Sequence, residues 1–381
     1  MRLLHLADLH LGRSLAEFSL HELQQEFLNE ILKTVSERNI DAVLIAGDVY
    51  DRSLPPVYAV RMLNDFLCAL SEMHVPVLIV SGNHDSAERL SFLSGVLNTS
   101  GIYIAGEYDM DAPPVTLSDE FGKINFYLLP FFRPGAVRAQ AKDETIATYN
   151  DAVKYAVEKM GVQTSERNVL ISHHFVTSAG HAPVQSDSEI MFIGGLEMVD
   201  SACFDAFDYV ALGHLHQVQK VGRDAVRYAG SPIKYSLSEV EGKKSFVIIE
   251  MGEKGNMNIE LVPIRLSQDM RLVRGTLEEI MKRPQDGADN DFLAVVLTDV
   301  EPVYDAMQTL RTRYPYVISV RRERDMIASS VDSISVGQVR ELDPFTLFER
   351  FYESRTTLEL TENEKADIRM ALDEAAEEAT A

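Results

Sequence analysis

Residues 41–53 read DAVLIAGDVYDRS: an apolar run, AVLIA, is followed directly by Gly47 and Asp48, and then by Asp51. A short apolar run that ends in turn residues predicts a strand buried on both faces, as in a parallel sheet. The polar residues then lie at the carboxyl end of the strand, where open α/β sheets bind their ligands. This stretch therefore predicts an α/β fold with a polar site at one edge of a sheet.

Four other apolar runs end in the same way, and each carries Asp, Asn or His at its tip. Together, five such tips predict one site that is rich in oxygen and imidazole donors, which suit divalent metals. The pattern indicates a two-metal phosphoesterase, in which ions about 3.5–4 Å apart activate water and neutralise phosphoryl oxygens. The four further tips are Asp8-Leu9-His10 after RLLHLA, Gly82-Asn83-His84-Asp85 after VLIV, His173-His174 after NVLIS, and Gly213-His214-Leu215-His216 after YVAL.

The spacing of these side chains predicts how two ions would be held. A metal pair needs a shared carboxylate, and Asp48, directly after a glycine at the end of the most apolar strand, is the natural bridge. Asp8 and His10 lie two residues apart, so that an extended tip directs both side chains to one ion. His214 and His216 repeat that spacing.

The remaining polar residues predict a further ligand and a proton donor. Asn83 offers an amide oxygen that adds a ligand without adding charge. His84 and Asp51 form the predicted catalytic pair, in which the carboxylate supports a histidine that donates a proton to the leaving oxygen. Either His173 or His174 is the next ligand, and the position of His173 directly after the strand favours it.

Composition limits the class of protein. Hydrophobic residues make up 46% of the 381 residues, enough for a catalytic domain and one or two smaller parts. No apolar run reaches the roughly 18 residues of a membrane span, and the N-terminus lacks the apolar region of a signal peptide. Cys68 and Cys203 lie in apolar contexts without metal-like spacing, which predicts buried free thiols in a reducing cytoplasm.

The formal net charge of −23 argues against a simple cationic nucleic-acid binder, because phosphate contacts normally come from Lys and Arg. Bound metal ions would offset several acids, and acidic residues are concentrated between Glu359 and Glu378. This tail favours a basic protein partner, or nucleic-acid contacts that another subunit supplies.

The chain changes character twice, which predicts three parts. Residues 1–265 alternate strand-like and helical patterns and end in several strands, which fits a four-layer sandwich. Residues 266–340 alternate helix and strand on a smaller scale, as a small α+β domain does. Residues 341–381 are strongly helical, with more apolar surface than a solvated tail needs. The apolar residues of this segment are Phe345, Leu347, Phe348, Phe351 and Tyr352.

The motifs together resemble the calcineurin-like metallophosphoesterases. D-x-H, G-D-x-x-D-R, G-N-H-D, a histidine-bearing strand end and G-H-x-H occur in the order found in that superfamily. The resemblance is closer still to its branch of SbcD-type nuclease subunits, and it covers nearly the whole chain, including FTLFERFYESR near the C-terminus. The segments that carry it are HLADLHLGR (5–13), AGDVYDRSLPP (46–56), VSGNHDSAERL (80–90), ALGHLHQVQ (211–219) and YAGSPIKYSLSE (228–239).

The resemblance implies an α/β fold, a four-layer αββα sandwich with a small α+β capping domain and a C-terminal helical segment that binds a partner. It also implies two ions, typically manganese, and His84 as the catalytic histidine. The implied ligand sets are Asp8, His10, Asp48 and His216 for one ion, and Asp48, Asn83, His173 and His214 for the other.

The implied function is that of a DNA nuclease subunit, a double-strand exonuclease and single-strand or hairpin endonuclease. Such a subunit acts with an SbcC-type coiled-coil ATPase in DNA end processing, repair and recombination. The implied assembly is a homodimer within a heterotetramer, without a membrane, in the cytoplasm. The residues themselves also allow a second class, a phosphomonoesterase or small-molecule phosphodiesterase with the same site. The long C-terminal part favours the nuclease, since a small substrate needs no such addition.

Several residues have a functional and a structural interpretation. His181, in a polar loop, is a candidate for the substrate side of the site. Asp85 either orients a metal ligand or caps a turn. The basic cluster at the end of a predicted strand either contacts DNA or is an ordinary solvated strand end. This cluster comprises Arg321, Arg322 and Arg324.

Overall fold

The structure, a computed structural model, describes residues 1–178, 183–189, 197–284 and 289–324, together with single positions between 345 and 372. It divides into two compact units, Met1–Met270 and Arg271–Ala381. The division at residues 265 and 340 suggested by the sequence stays a prediction. Most of residues 341–381, including Leu347 and Phe351, lie outside the described residues.

The first unit consists of alternating strands and helices, and five of its strands come from the apolar runs that precede the polar tips. Its helices are α1 (His21–Glu37), α2 (Val57–Glu72), α3 (Ala87–Leu90), α4 (Ser94–Leu97), α5 (Pro134–Ala141) and α6 (Tyr149–Lys159). Its strands are β1 (Arg2–Leu6), β2 (Ser14–Leu15), β3 (Phe18–Ser19), β4 (Ala42–Ala46), β5 (Val77–Val80), β6 (Ile102–Ala105), β7 (Val115–Asp119), β8 (Gly122–Leu129), β9 (Arg167–Ser172), β10 (Val176–Thr177), β11 (Val199–Asp200), β12 (Tyr209–Leu212), β13 (Gln219–Val221), β14 (Arg223–Tyr228), β15 (Ser245–Met251) and β16 (Met257–Pro263).

Two six-stranded sheets form the centre of this unit. Their strand orders are β16-β15-β1-β4-β5-β6 and β13-β14-β12-β9-β8-β7. Strands β1, β4, β5 and β6 run parallel in the first sheet, and β8, β9, β12 and β14 run parallel in the second. Leu44 and Val80 of the first sheet share one buried core with Phe126, Ile171 and Ala211 of the second. The sheets therefore pack face to face.

Helices cover the outer face of each sheet. On the first sheet, α1 buries Leu23, Phe27 and Ile31 at helical spacing, and α2 begins directly after Pro56. Helix α2 buries Leu63, Leu67 and Leu70, whereas Val60 is 44% exposed. Helices α5 and α6 pack on the second sheet. The result is a four-layer αββα sandwich, which confirms the predicted fold class.

The second unit, considered by itself, is a small α and β structure. It has a three-stranded sheet in the order β17-β18-β19, whose apolar face packs with two helices around Ile280, Val295 and Leu310. Its elements are β17 (Met270–Gly275), α7 (Leu277–Met281), β18 (Phe292–Leu297), α8 (Ala306–Arg311) and β19 (Val317–Arg322).

Two expectations from composition have different outcomes. The prediction of two buried thiols is wrong, since Cys68 is exposed and Cys203 is half-buried; both are free. Within the described part of the chain, no helix is long and apolar enough to cross a membrane.

Candidate metal centre

The five polar tips meet at one place, where the carboxyl ends of strands from both sheets lie together. In the first sheet, the β1 and β4 tips run side by side: the Asp8 amide donates to the Gly47 carbonyl (3.1 Å) and the His10 amide donates to the Asp48 carbonyl (2.9 Å). The two sheets are joined here as well, because the His214 amide donates to an Asp8 carboxylate oxygen (2.9 Å). Parallel pairing within each sheet and stacking between them therefore build the site.

The backbone at the tips is turned into the left-handed region. The φ angles are +52° at Asp8, +43° at His10, +48° at Asp48 and +109° at His214. Such conformations cost a non-glycine residue about 1–3 kcal/mol and are concentrated at functional sites. The side chains of Asp8 and His10 do converge, but the predicted reason was wrong: a tight turn, and not the alternation of an extended strand, directs them inward.

Two of the motif glycines are required by close packing at the centre. A Cβ atom at Gly82 would overlap the Asp48 carboxylate, and one at Gly213 would overlap the Ala46 carbonyl and approach the His173 ring. A side chain at either position would push a candidate ligand out of place. The glycines that precede Asn83 and His214 are therefore part of the site's geometry.

One group of donors consists of Asp8, His10 and His216, each of which offers an atom within 4.8 Å of the others. All three side chains are buried. The Nε2 atoms of His10 and His216 are 3.2 Å apart, and His10 Nε2 is 3.7 Å from Asp48 Oδ2. Without metal, a hydrogen on either nitrogen makes this contact a hydrogen bond. With metal, two bare nitrogens can be neighbouring ligands of one ion.

A second group of donors lies on the other side of Asp48. His173 Nε2 is 3.3 Å from Asp48 Oδ2 and 3.1 Å from Asn83 Oδ1. His214 Nδ1 is also 3.1 Å from Asn83 Oδ1. The Asp48 carboxylate thus lies between the two groups. The seven residues predicted as ligands are brought together in the two sets that the resemblance implies, and their binding of metal stays a prediction.

Protonation in this site also fits divalent ions. Burial lowers the pKa of His10 and that of His214, the latter to about 3, so both imidazoles are neutral and have a lone pair available. Burial would raise the pKa of Asp48, but the nearby His173 outweighs it and holds this pKa well below its ordinary value. Neutral imidazoles around an ionised, buried carboxylate are a donor set that suits a divalent cation.

His173 behaves differently from the other imidazoles. Its Nδ1 donates to the Ala46 carbonyl (2.7 Å), so Nε2 faces the centre. Burial would lower its pKa, but Asp48 and Asp8 raise the pKa to about 9. Without metal, a proton on His173 therefore occupies a place where a cation is stabilised.

This proton gives a pH-dependent prediction. Because the pKa of His173 is about 9 without metal, the ring is charged at neutral pH and must lose its proton when an ion binds. We expect manganese binding to release about one proton from this residue, and affinity to increase as pH rises towards that pKa. Calorimetry in buffers of different ionisation enthalpy measures the number of protons released per bound ion. The His173→Ala protein is the control, and equal proton release from both proteins would contradict the prediction.

His174 turns away from the metal centre. Its Nδ1 lies 2.9 Å from Ser172 Oγ, and its ring packs on Phe131 and Phe132 at centroid distances of 5.6 and 4.6 Å. Burial lowers its pKa to about 3, so this imidazole is a neutral part of the core. Of the two adjacent histidines, His173 is the one that the fold directs at Asp48.

Exchange of each histidine for alanine tests this difference. His173→Ala is expected to remove one of two bound ions and most of the hydrolysis, because it deletes a donor from the second group. His174→Ala is expected to keep both ions and to lower stability instead, by about 1–3 kcal/mol, since it leaves a cavity in the core. Metal analysis and thermal unfolding of both proteins measure these effects, and the opposite order would contradict the assignment.

The predicted pairing of His84 with the Asp51 carboxylate is wrong in its geometry. His84 Nδ1 lies 3.0 Å from the backbone carbonyl of Asp51, while the Asp51 carboxylate accepts from Arg13 (3.2 Å) and Arg52 (3.3 Å). The same carboxylate is 3.7 Å from His10 Nδ1. Asp51 therefore supports His84 through its main chain. The catalytic roles of both residues stay predictions.

The remaining candidates have different positions. Asp85 accepts from the amides of Val49 (3.1 Å), Tyr50 (2.9 Å) and Gly82 (2.9 Å). Its carboxylate therefore caps the turns after β4 and β5 and joins these two tips. Burial and the nearby Asp48 raise its pKa to about 6. His181 lies outside the described residues. Of the basic cluster, two arginines lie in β19 and the third follows it.

The structure also brings in residues that no strand tip predicted. Ser188 and Glu239 lie behind His216 and contact its Nδ1 at 2.8 and 3.4 Å. The Tyr235 hydroxyl donates to the Leu9 carbonyl (2.7 Å), between two candidate ligands. Glu239 and Tyr235 belong to YAGSPIKYSLSE, a segment that contributes to the family resemblance but whose residues were assigned no function from sequence. Nothing in the sequence except its position in a polar loop pointed to Ser188.

A four-layer αββα sandwich with clustered Asp, Asn and His at facing strand ends defines a metallophosphoesterase. The chain belongs to the calcineurin-like phosphoesterases, since the model of that family matches residues 1–218. A second model, described as the type 5 capsule protein repressor C-terminal domain, matches residues 267–356. These matches confirm a metal-dependent phosphoesterase enzyme.

One relative is similar over nearly the whole chain. The chain is 29% identical over 376 residues to the D subunit of the nuclease SbcCD of Staphylococcus epidermidis, with 98% of each chain covered, which confirms the resemblance to SbcD-type subunits. Among solved structures, TT1561 of Thermus thermophilus is 14% identical, over 69% of this chain and 99% of that one, with a TM-score of 0.41. A dimetal phosphatase from Danio rerio is 12% identical, over 70% and 96%, with a TM-score of 0.40.

Proposed function

We propose that the chain is a two-metal DNA nuclease subunit, a double-strand exonuclease and single-strand or hairpin endonuclease, that works in DNA end processing, repair and recombination. The observation that carries the proposal is the convergence of six donor side chains in two sets around Asp48. The choice of DNA as substrate rests on the relative named as a nuclease subunit, which is matched over 98% of its length.

The proposed cofactors are two manganese ions, held by the two donor sets. When bound, such a pair supplies the attacking nucleophile and neutralises charge on the phosphoryl oxygens. The protein's own part in catalysis centres on His84, which is 19% exposed at the edge of the site. Its Nδ1 donates to the Asp51 carbonyl, so in the charged ring Nε2 carries the proton that goes to the leaving oxygen.

Digestion of defined substrates tests the proposal. The protein is incubated with duplex DNA, hairpin DNA and a generic aryl phosphodiester, with manganese or with a chelator. We expect manganese-dependent cleavage of both DNA substrates and none with chelator. A protein with Asp48→Asn, prepared in parallel, controls for contaminating nucleases. Hydrolysis of the aryl ester without any cleavage of DNA would support a small-molecule phosphodiesterase instead.

The proposed partner is an SbcC-type coiled-coil ATPase, in a heterotetramer that contains a homodimer of this chain, in the cytoplasm. A net charge of −23 favours nucleic-acid contacts that another subunit supplies, and the ATPase partner is the proposed source. Exposed apolar side chains lie near the start of α2 and around α4, and we assign these two groups to the homodimer contact. These side chains are Leu54, Val57, Phe92, Leu93 and Val96.

We assign the ATPase contact to the C-terminal segment 341–381, and Phe348 tests this assignment. This side chain is 38% exposed in the described part of the segment. Phe348→Glu is expected to leave manganese-dependent cleavage by the isolated chain unchanged, and to weaken ATPase binding by about 10–100-fold, as loss of a central aromatic anchor does. Tyr304→Glu, at an exposed aromatic of the same unit, is the matched control. Equal affinity of both variants in a pull-down titration would contradict this assignment.

A further inference from the structure

A buried polar group lies directly behind His216, on the side opposite the metal centre. His216 Nδ1 is 2.8 Å from Ser188 Oγ, and Ser188 Oγ donates to Glu239 Oε1 at 2.7 Å. The other oxygen of Glu239 pairs with Lys244 Nζ at 2.6 Å. The side chains of Glu239 and Lys244 are only 4% and 10% exposed. These four residues form a chain of contacts that begins at a candidate metal ligand and ends at a buried cation.

The hydrogen atoms of this chain follow from what each group can donate. Glu239 is ionised because it pairs with Lys244, so its oxygens only accept. Ser188 has one hydrogen, and the short contact to Glu239 requires it. Ser188 Oγ must therefore accept from His216, which places a hydrogen on Nδ1. Direct contact of Nδ1 with Glu239 Oε1, at 3.4 Å, requires the same hydrogen.

The opposite tautomer would leave two unfavourable contacts. With a bare Nδ1, Ser188 would have to turn its hydrogen to the ring, and its oxygen would face the Glu239 carboxylate at 2.7 Å without a hydrogen between them. The Nδ1 lone pair would also face that carboxylate. In a buried site, unmatched acceptors of this kind are costly. The Nδ1–H form is therefore the one that the surroundings stabilise.

We propose that Ser188 and Glu239 are positioning residues that hold His216 as the Nδ1–H tautomer, so that its bare Nε2 points at the metal centre beside His10. Partners of this kind behind a ligand histidine fix its ring and increase its basicity, and they typically contribute 10–100-fold to metal affinity. Lys244 holds the Glu239 carboxylate in place, because its Nζ donates to Glu239 and also to the His216 carbonyl (2.8 Å).

The inference deepens the proposed function, since it rests on the metal site, but it is independent of the substrate. It also explains the position of residues 183–189. Glu189, next to Ser188, accepts from the His216 amide at 2.7 Å, so this loop holds both the backbone and the ring of the ligand.

The first test is the tautomer itself in the full chain without metal. Nitrogen-15 spectra of histidine-labelled protein distinguish a protonated from a bare imidazole nitrogen, and the His216→Gln protein assigns the signals of this ring. We expect a protonated Nδ1 and a bare Nε2. A ring with the hydrogen on Nε2 would overturn the proposal. This test requires no substitution of Ser188 or Glu239.

The second test measures manganese affinity by calorimetry. Ser188→Ala keeps the Glu239–Lys244 pair and is expected to weaken one of two ions about tenfold, while Glu239→Gln is expected to approach a hundredfold. Ser188→Thr restores the hydroxyl and should restore affinity and tautomer. The matched control is Ser118→Ala, at an exposed serine of the strand β7.

The outcomes separate this inference from the proposed function. Two ions bound by the wild-type chain, with Ser188→Ala and Glu239→Gln indistinguishable from Ser118→Ala, would overturn the positioning role alone. A wild-type chain that binds no manganese would overturn the two-metal site of the proposed function. Thermal unfolding accompanies each measurement. If Glu239→Gln unfolds, Ser188→Ala and the wild-type tautomer decide the result, because neither disturbs the buried ion pair.

Discussion

Asp48→Ala is expected to abolish hydrolysis and to lower the occupancy of both metal positions. Asp48 is buried between the two donor groups, with Oδ2 3.3 Å from His173 Nε2 and 3.7 Å from His10 Nε2. Without its carboxylate, both donor groups lose the negatively charged ligand that they share. Since bound metal contributes several kcal/mol to transition-state stabilisation, the loss corresponds to at least about 10³-fold in rate.

A second effect of this substitution is local. Asp48 Oδ1 accepts from the His84 amide at 2.9 Å, so the alanine also releases the turn that carries the proposed proton donor. Both effects lower the rate, but only loss of the bridge empties both metal positions. Metal content therefore separates the bridging role from the support of the turn.

The measurement is metal content per chain after dialysis against a fixed concentration of manganese. Asp41→Ala is the matched control, because Asp41 is an acid at the opposite end of the same strand, where it accepts from the Arg2 amide (2.6 Å). His216→Ala, which removes a donor from one group, should lose one ion more than the other. Two ions still bound to Asp48→Ala would refute the bridging assignment.

Much of the site follows from sequence, because local patterns determine the elements that build it. The apolar runs before Asp48 and Asn83 are fully buried strands, as their composition indicates, and their parallel pairing brings the two tips together. Each tip was recognisable because its polar residues follow such a run directly. The sandwich follows from the same patterns, since a strand that is apolar on both faces needs a helix layer on one side and a second sheet on the other.

The parts that sequence could not determine depend on backbone turns and on distant contacts. An Asp-x-His pattern does not reveal that both residues adopt positive φ, and residues 51 and 84 gave no indication that a carbonyl, and not a carboxylate, meets the histidine. Ser188 and Glu239 lie 28 and 23 residues from His216 in the chain, in segments without apolar periodicity. Only the folded chain brings them to that ring.

His84→Gln is expected to lower the rate of DNA cleavage by about 10²–10⁴-fold, the usual contribution of general acid–base catalysis. Glutamine is chosen because its amide can still donate to the Asp51 carbonyl that holds His84 Nδ1 at 3.0 Å. Metal content and thermal stability should be unchanged. His21→Gln, at an exposed position on α1, is the control.

The dependence on leaving group identifies the step in which His84 acts. A deoxyribose hydroxyl is a poor leaving group and needs a proton, whereas an acidic phenol leaves readily without one. If His84 donates that proton, His84→Gln should slow DNA cleavage far more than hydrolysis of an aryl phosphodiester. Equal losses on both substrates would mean that His84 stabilises phosphate charge or orients the substrate instead. A rate that falls only together with metal content would make His84 a metal ligand or a structural residue, and its catalytic role would be wrong.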